Sequence, residues 1–408
     1  MSRIFSVALG ILAAIGGFVD MGDLVFNAAA GAVFGYQLLW VVVVGVVGII
    51  TYSEMCGRVA AVSKRAVFDA VRERLGYKVG LVALVAAQIV NLMTLAAEVG
   101  GVAVVLRLLS GLPYRALIVL GVVVLVLVIW SLPFEYLERI FGYVGLCLIV
   151  FAVAAVKLNP DWGAVARGFV PSAETGDLLL YCYFAVGLLG AAMTPYEVYF
   201  YSSGAVEEGW TPSDLRTNKA NAIIGYGLGG FLSFALMISA GALLLPHGIT
   251  PDFLGTVALM AQSPLGEIGL FLALIGMLFA VGGAALDVAF SGAYSLAQFF
   301  GWEWGKYRQP TGAPRFTLTW LVLFGLAGLV ILTGVDPILV TEFSVIFSAV
   351  ALPLTYVPIL LVANDRAYMG SYANGKLGNV FGVVYLFVIL VIAVAAVPLL
   401  LLTNLGQG

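Results

Sequence analysis

Residues 16–24 read GGFVDMGDL and lie inside a long apolar stretch that covers roughly residues 4–34. Asp20 and Asp23 stand three residues apart on either side of Gly22. Carboxylates inside a membrane span are costly, so they mark functional sites by default. On a regular helix the two acids would share a face and repel each other, and a cation between them would remove that repulsion. Unwinding at Gly22 would also free backbone carbonyls as ligands; the alternative is two acids that merely line a water-filled vestibule.

A second interruption lies in the apolar stretch of residues 178–204, where residues 190–199 read GAAMTPYEVY. Pro195 has no amide hydrogen and clashes with the preceding helical turn. Three polar side chains gather around it, namely Thr194, Tyr196 and Glu197. The alternative interpretation is an ordinary proline kink, which membrane helices tolerate.

Composition excludes most classes of protein. The chain has 408 residues, of which 62% are hydrophobic and 10% charged, whereas soluble domains are about 45–50% apolar and ~25% charged. A soluble enzyme, a disordered chain and a nucleic-acid binder are therefore excluded. Three cysteines without a CxxC spacing and a single histidine argue against disulfides and against thiolate or histidine-rich metal sites. No phosphate-binding loop indicates an ATP-driven pump, and no cofactor is expected.

We predict an all-α membrane protein with one domain, residues 1–408, and about eleven transmembrane helices. The expected spans are roughly 4–34, 37–62, 77–109, 114–131, 135–157, 178–204, 214–245, 266–301, 316–334, 337–363 and 378–403. Residues 66–76 are too polar to span and predict a short amphipathic helix at the cytoplasmic surface.

The two interruptions fall in spans one and six, which are five apart and therefore run in opposite directions. Broken helices at matching places in two inverted halves indicate a transporter site at the bilayer midplane. The halves would be roughly residues 4–157 and 178–363, with the helix at 378–403 as an addition.

Lysine and arginine predict the orientation, because they accumulate on the cytoplasmic side. All but four of the 19 basic residues fall on one side of the predicted spans. The four on the other side are Arg107, Arg115, Lys157 and Arg167. The N-terminus is expected inside the cell and the C-terminus outside, in the cell membrane.

Further polar residues lie inside spans. Asp287 in span eight could line an ion path or form a hydrogen bond to a neighbouring helix. Glu98 in span three could face the inner bundle or pair with a donor in span nine or ten. Gln88, Asn91 and Thr94 repeat at helical spacing, and for them we expect hydrogen bonds between helices.

The residues at both breaks resemble those of the Nramp family of divalent-metal transporters. The family pattern Asp-Pro-Gly-Asn corresponds to DMGD at residues 20–23. The pattern Ala-Thr-Val-Met-Pro-His-Asn-x-Tyr corresponds to AAMTPYEVY at residues 191–199, and a later His-Ser-Ser corresponds to YSS at residues 201–203. Residues 352–370 are also similar to the family. The resemblance implies a LeuT-like fold and transport of a divalent cation.

The departures from the family pattern are informative. Asp23 stands where the family has a ligating Asn, and Thr194 replaces a Met, although Met193 lies one place earlier. Tyr196 and Tyr201 replace two histidines, and Leu95 replaces an acid, at positions that belong to the family's proton route. The expected metal ligands are Asp20, Asp23, Ala191, Thr194 and Glu197. Along the ion pathway we expect Glu98, Tyr196 and Asp287.

These changes make the site harder, because thioethers favour soft transition metals whereas carboxylates, carbonyls and water favour Mg²⁺, Ca²⁺ or Mn²⁺. The pattern resembles the Nramp-related magnesium transporters. We expect uptake of Mg²⁺ first and Mn²⁺ second, without proton coupling, by a protein that is monomeric and has the ion and the lipid bilayer as partners. The alternatives are a proton-coupled Mn²⁺/Fe²⁺ transporter, an organic-solute carrier on the same fold, and a membrane sensor or intramembrane enzyme.

Overall fold

The computed structural model describes residues 19–172, 176–251 and 253–404, and every regular element within them is a helix. Ten helices in this part of the chain are long and apolar enough to cross a membrane. A shorter apolar helix, Met21–Phe34, is the described portion of the predicted first span. The remainder of that span, residues 4–18, lies outside the described residues.

The α-helices follow the predicted spans closely. In chain order they are α1 Met21–Phe34, α2 Leu39–Ser63, α3 Val67–Ser110, α4 Tyr114–Ser131, α5 Phe134–Gly145, α6 Ile149–Lys157, α7 Trp162–Gly168, α8 Leu178–Ala192, α9 Pro195–Glu207, α10 Leu215–His247, α11 Leu254–Phe300, α12 Pro314–Leu332, α13 Pro337–Asn364, α14 Arg366–Met369 and α15 Lys376–Leu402. Short 3₁₀ turns lie at Leu146–Leu148, Pro212–Asp214, Pro310–Gly312 and Gly370–Tyr372. Span five consists of α5 and α6 around the first of these turns, and span six consists of α8 and α9.

Two spans begin with a short helix that ends at a glycine. The predicted helix at residues 66–76 is confirmed as the start of α3, and Gly76, with φ of 72°, separates it from the span. Gly266, with φ of 65°, divides α11 in the same way. Span eight was expected to start at residue 266, but the chain is already helical from Leu254. Positive φ is readily adopted only by glycine, so both bends are fixed by residue type.

The centre of the bundle is formed by α3, which packs along both α11 and α13, while α1 packs along α10. Glycines let α1 approach its neighbours closely. A methyl group on Gly31 would lie 2.5 Å from the carbonyl oxygen of Met237, and one on Gly187 would lie 2.0 Å from the ring of Phe26. The N-terminal end of α1 lies among α3, α8 and α13, because Met21 packs on Gly101 and Gly22 lies against Ala191 and Val345.

Candidate metal-binding site

The break in span one differs from the expectation by two residues. We expected unwinding at Gly22, but α1 begins at Met21 and Gly22 is helical. The extended residue is Asp20, with φ of −99° and ψ of −174°, and its Oδ1 accepts a hydrogen bond of 2.9 Å from the amide of Asp23. Asp20 therefore caps the helix, because a carboxylate there satisfies amides that have no partner within the helix. Its own carbonyl accepts from the amide of Leu24.

The break in span six agrees with the expectation. α8 ends at Ala192, α9 starts at Pro195, and Thr194 between them is extended, with φ of −62° and ψ of 125°. The hydroxyl of Thr194 donates to the carbonyl oxygen of Ala191 over 2.6 Å. Two predicted ligands are thus hydrogen-bonded to each other, and each oxygen keeps a lone pair.

The two breaks meet in space. A methyl group on Gly22 would lie 3.0 Å from Oδ1 of Asp20 and 3.5 Å from Cβ of Ala191. The hydroxyl of Tyr196 donates to Oδ2 of Asp20 over 3.1 Å. Val345 of α13 contacts both breaks, since methyl groups on Gly22 and Gly190 would lie 3.0 Å and 2.8 Å from its atoms. Carboxylates of span one and backbone oxygens of span six therefore border one buried region.

Asp23 is held by two donors that the sequence did not reveal. Its Oδ1 accepts 2.9 Å and 3.2 Å hydrogen bonds from Nδ2 of Asn27 and the hydroxyl of Ser233, respectively. Its Oδ2 is buried and has no hydrogen-bond partner. The spacing of four residues between Asp23 and Asn27 on a helix could have predicted the first contact. No local sequence pattern links Ser233 to Asp23, because the two residues are 210 positions apart.

Glu98, predicted to lie on the ion pathway, contacts the break in span one. Its Oε1 accepts a 3.0 Å hydrogen bond from the amide of Met21, and its Oε2 is buried without a partner. The first turn of α1 thus receives carboxylate oxygens from both Asp20 and Glu98. Glu98 therefore contacts the inner bundle, rather than a donor in span nine or ten.

Glu197 is buried on α9, with 6% of its surface exposed, and neither carboxylate oxygen has a hydrogen-bond partner. Its charge interacts with those of Asp20, Asp23 and Asp287. Buried charges need a compensating partner, and a cation would supply one.

Asp287 acts electrostatically on two residues of the break in span six, Tyr196 and Glu197. It is half-buried on α11, and the charged groups that act on it most strongly are Glu138 and Lys306. Lys306 Nζ in turn lies 2.7 Å from Oε1 of Glu138. Asp287 is therefore within electrostatic range of both the break in span six and this ion pair.

Two of the three polar residues on span three form the expected hydrogen bonds between helices. Gln88 donates to the carbonyl of Gly292 and to Ser295 on α11, and Thr94 shares a 2.5 Å hydrogen bond with Ser344 on α13. Both polar atoms of the buried Asn91 are without a partner.

The methionine sulfurs beside the breaks are engaged in packing. A methyl group on Gly48 of α2 would lie 2.5 Å from Sδ of Met193, and one on Gly101 of α3 would lie 2.5 Å from Sδ of Met21. Met193, which could have replaced the family's thioether after a shift of one residue, thus packs against α2.

Among the described residues, no three His, Cys, Asp or Glu side chains are close enough together to hold an ion by themselves. An ion that keeps much of its water shell does not need such a cluster, because one or two carboxylates are sufficient to hold Mg²⁺.

A family model described as "Natural resistance-associated macrophage protein-like" matches residues 10–398. The chain belongs to the Nramp family. It is 28% identical over 380 residues to the "Divalent metal cation transporter MntH" of Pectobacterium carotovorum, covering 90% of this chain and 87% of the relative. The protein of the same name from Aeromonas hydrophila is 27% identical over 390 residues, covering 91% and 90%.

Solved structures agree on the fold of this Nramp protein. A variant of the Eremococcus coleocola manganese transporter superposes with a TM-score of 0.77 at 19% identity, covering 98% of this chain and 94% of that one. Mhp1, a nucleobase-cation-symport-1 family transporter, superposes with a TM-score of 0.61 at 15% identity, covering 96% and 92%. The predicted LeuT-like fold is confirmed, and the gap between α8 and α9 confirms the broken sixth helix.

Proposed function

We propose that this Nramp protein imports a hard divalent cation, Mg²⁺ first and Mn²⁺ second, through the junction of the two broken helices. The observation that carries the proposal is the pair Asp20 and Asp23, buried at 3% and 1% exposure beside the break in span six. Oδ2 of Asp23 and both oxygens of Glu197 are buried and unpartnered, so they are available to a cation or to its bound water.

The oxygen character of this junction supports a hard ion. The family has a methionine where this chain has Thr194, and a thioether there would favour softer metals. Thr194 supplies a hydroxyl at the break, and the sulfur of Met193 packs against α2. The relatives carry the name divalent metal cation transporter, and the superposed Eremococcus protein is a manganese transporter. Mn²⁺ is therefore kept as the second substrate.

Uptake without a coupled proton is proposed from the residues that replace the family's proton route. Tyr196 donates to Asp20, Tyr201 donates to the carbonyl and side chain of Asn218, and Leu95 is buried. The reference pKa of Tyr is about 10, so it does not exchange a proton readily at neutral pH, whereas His does. A membrane potential supplies ~2.3 kcal/mol per charge per 100 mV, which doubles for a divalent ion.

We place the protein in the cell membrane as a monomer with its N-terminus in the cytoplasm and its C-terminus outside. The two inverted halves are taken as residues 4–157 and 178–363, followed by the added helix at 378–403. The glycine bends at Gly76 and Gly266 support this division, because they precede spans three and eight, which are five apart.

Uptake into liposomes tests this function. The purified protein is reconstituted with a Mg²⁺-sensitive dye and, separately, a pH-sensitive dye inside, under a fixed inside-negative potential. We expect saturable Mg²⁺ entry, weaker competition by Cd²⁺ than by Mn²⁺, and no acidification that tracks the entry. Acidification that follows Mg²⁺ entry and disappears in Glu98→Gln would support the proton-coupled alternative. Absence of any divalent uptake, with uptake of an organic solute, would support the carrier alternative.

A further inference from the structure

We infer that Asn27 and Ser233 set the discrimination of this transporter against Ca²⁺ by leaving Asp23 a single oxygen for the ion. The inference rests on the proposed function, because it concerns which hard cation the same junction accepts. Neither residue is a ligand in it: both are positioning residues that act through the carboxylate of Asp23.

The two donors reach one oxygen from different helices. Nδ2 of Asn27 on α1 lies 2.9 Å from Oδ1 of Asp23. The hydroxyl of Ser233 on α10 lies 3.2 Å from the same atom and 3.3 Å from the carbonyl oxygen of Gly229, so its hydrogen is shared between the two. All three side chains are 1% exposed. Oδ2 of Asp23 has no partner, so the two oxygens of one carboxylate have opposite roles.

The amide of Asn27 has a fixed orientation. Its Nδ2 also donates to the backbone carbonyl of Asp23 over 2.9 Å, so both of its hydrogens are used. Turning the amide around would bring Oδ1 of Asn27 against two acceptors that carry no hydrogen. Oδ1 of Asn27 itself is buried without a partner. Asn27 therefore donates to Asp23 in only one way and does not offer its own oxygen to that carboxylate.

Calcium and magnesium differ in how they use a carboxylate. Ca²⁺ takes six to eight oxygens at about 2.3–2.6 Å and readily binds both oxygens of one carboxylate, whereas Mg²⁺ requires a near-octahedral shell at about 2.0–2.1 Å and is held by few carboxylates and several waters. A carboxylate with one oxygen occupied by two donors binds through the other oxygen. That restriction suits Mg²⁺ and removes a ligand from Ca²⁺.

Binding measurements on the full-length protein test this inference. The Kd values for Mg²⁺ and Ca²⁺ are measured by calorimetry for the wild type, Ser233→Ala, Asn27→Ala and the double variant. Ser239→Ala is the matched control, because this hydroxyl lies on the same helix and bonds to the carbonyl of Phe151 instead. We expect the ratio of the Ca²⁺ Kd to the Mg²⁺ Kd to fall about ten-fold in the double variant, since a freed oxygen is available to Ca²⁺. Ser239→Ala should leave the ratio unchanged.

Each outcome separates the inference from the proposed function. If wild-type protein binds Mg²⁺ and Asp23→Ala does not, the site is established, and an unchanged or increased ratio in the double variant overturns the inference. If wild-type and Asp23→Ala proteins bind Mg²⁺ equally, the proposed function itself is wrong. Should the double variant not fold, Ser233→Ala gives the same test, with a smaller fall in the ratio expected and no fall counting against the inference.

Discussion

The phenol of Tyr196 donates a hydrogen bond to Oδ2 of Asp20, joining the two broken helices across 176 residues of chain. Oδ1 of the same carboxylate accepts from the amide of Asp23. Asp20 thus has a donor on each oxygen, whereas Asp23 has both of its donors on one. The two acids that look equivalent in the sequence are presented differently to an ion, and Tyr196 stands where the family has a histidine.

Tyr196→His should make uptake depend on pH. An imidazole beside Asp20 titrates with a reference pKa of about 6.5, whereas tyrosine does not change charge near neutrality. We expect Mg²⁺ uptake into liposomes by the wild type to be nearly constant from pH 6 to pH 8, and uptake by Tyr196→His to change across that range. Tyr385→His is the control, because the hydroxyl of Tyr385 on α15 donates to the carbonyl oxygen of Val44 instead. Equal pH profiles for the wild type and Tyr196→His would contradict the prediction.

Asp20→Ala and Asp23→Ala should each abolish saturable Mg²⁺ uptake without unfolding the protein, because each removes a buried carboxylate from the junction. Folding is checked by size-exclusion chromatography and thermal melting. Asp161→Ala provides the control, since Asp161 is an exposed acid that caps the short helix α7. Full transport by both site variants would show that the pair only lines a vestibule.

Thr194→Met should strengthen binding of soft ions relative to Mg²⁺. A thioether adds a soft ligand and displaces water from the shell of the ion. Calorimetry with Cd²⁺, Mn²⁺ and Mg²⁺ measures the preference. Thr194→Leu is the size control, because leucine is a large apolar side chain like methionine but has no sulfur. A preference that shifts equally in both variants, or in neither, would place Thr194 away from the ion.

The ion pair between Arg74 and Asp365 should stabilise the protein fully above about pH 4 and lose this effect at lower pH. The hydrogen bond from Arg74 lowers the pKa of the Asp365 carboxyl below its ordinary value. A lowered folded-state pKa stabilises the protein above the unfolded pKa, and that contribution is lost as pH falls through the folded value. Asp365→Asn keeps the cap on the amide of Ala367, so it removes the charge alone. The melting temperature of the variant should be lower at pH 6 and approach that of the wild type below pH 3.

The sequence was sufficient to locate the helices because apolar length and proline are local signals. Pro195 and the polar residues around it predicted the gap between α8 and α9 that the structure contains. Glycine predicts the interruption of span one at Gly22, two residues late, because the extended residue is Asp20, which caps α1. Gly22 is required instead for the close approach of Val345 and Ala191.

The contacts of the carboxylates could not be predicted in the same way. Glu98 reaches the amide of Met21 over a separation of 77 residues, and Ser233 reaches Asp23 over 210. Such partners depend on which face of each helix points into the bundle. These helices have apolar residues on all sides, so the inward face cannot be predicted from the sequence. The contact between Asn27 and Asp23 can be predicted from the sequence, since the two residues are one helical turn apart.

The bend at Gly76 separates the first nine residues of α3 from its membrane span as a short helical arm. Arg72 of this arm donates a hydrogen bond to the carbonyl of Phe299 at the end of α11, and Arg74 forms an ion pair with Asp365 just after α13. Beyond the bend, the same helix carries Glu98, which holds the amide of Met21. The ends of α11 and α13 therefore cannot shift relative to the span of α3 unless the backbone rotates at Gly76 or one of these two contacts breaks.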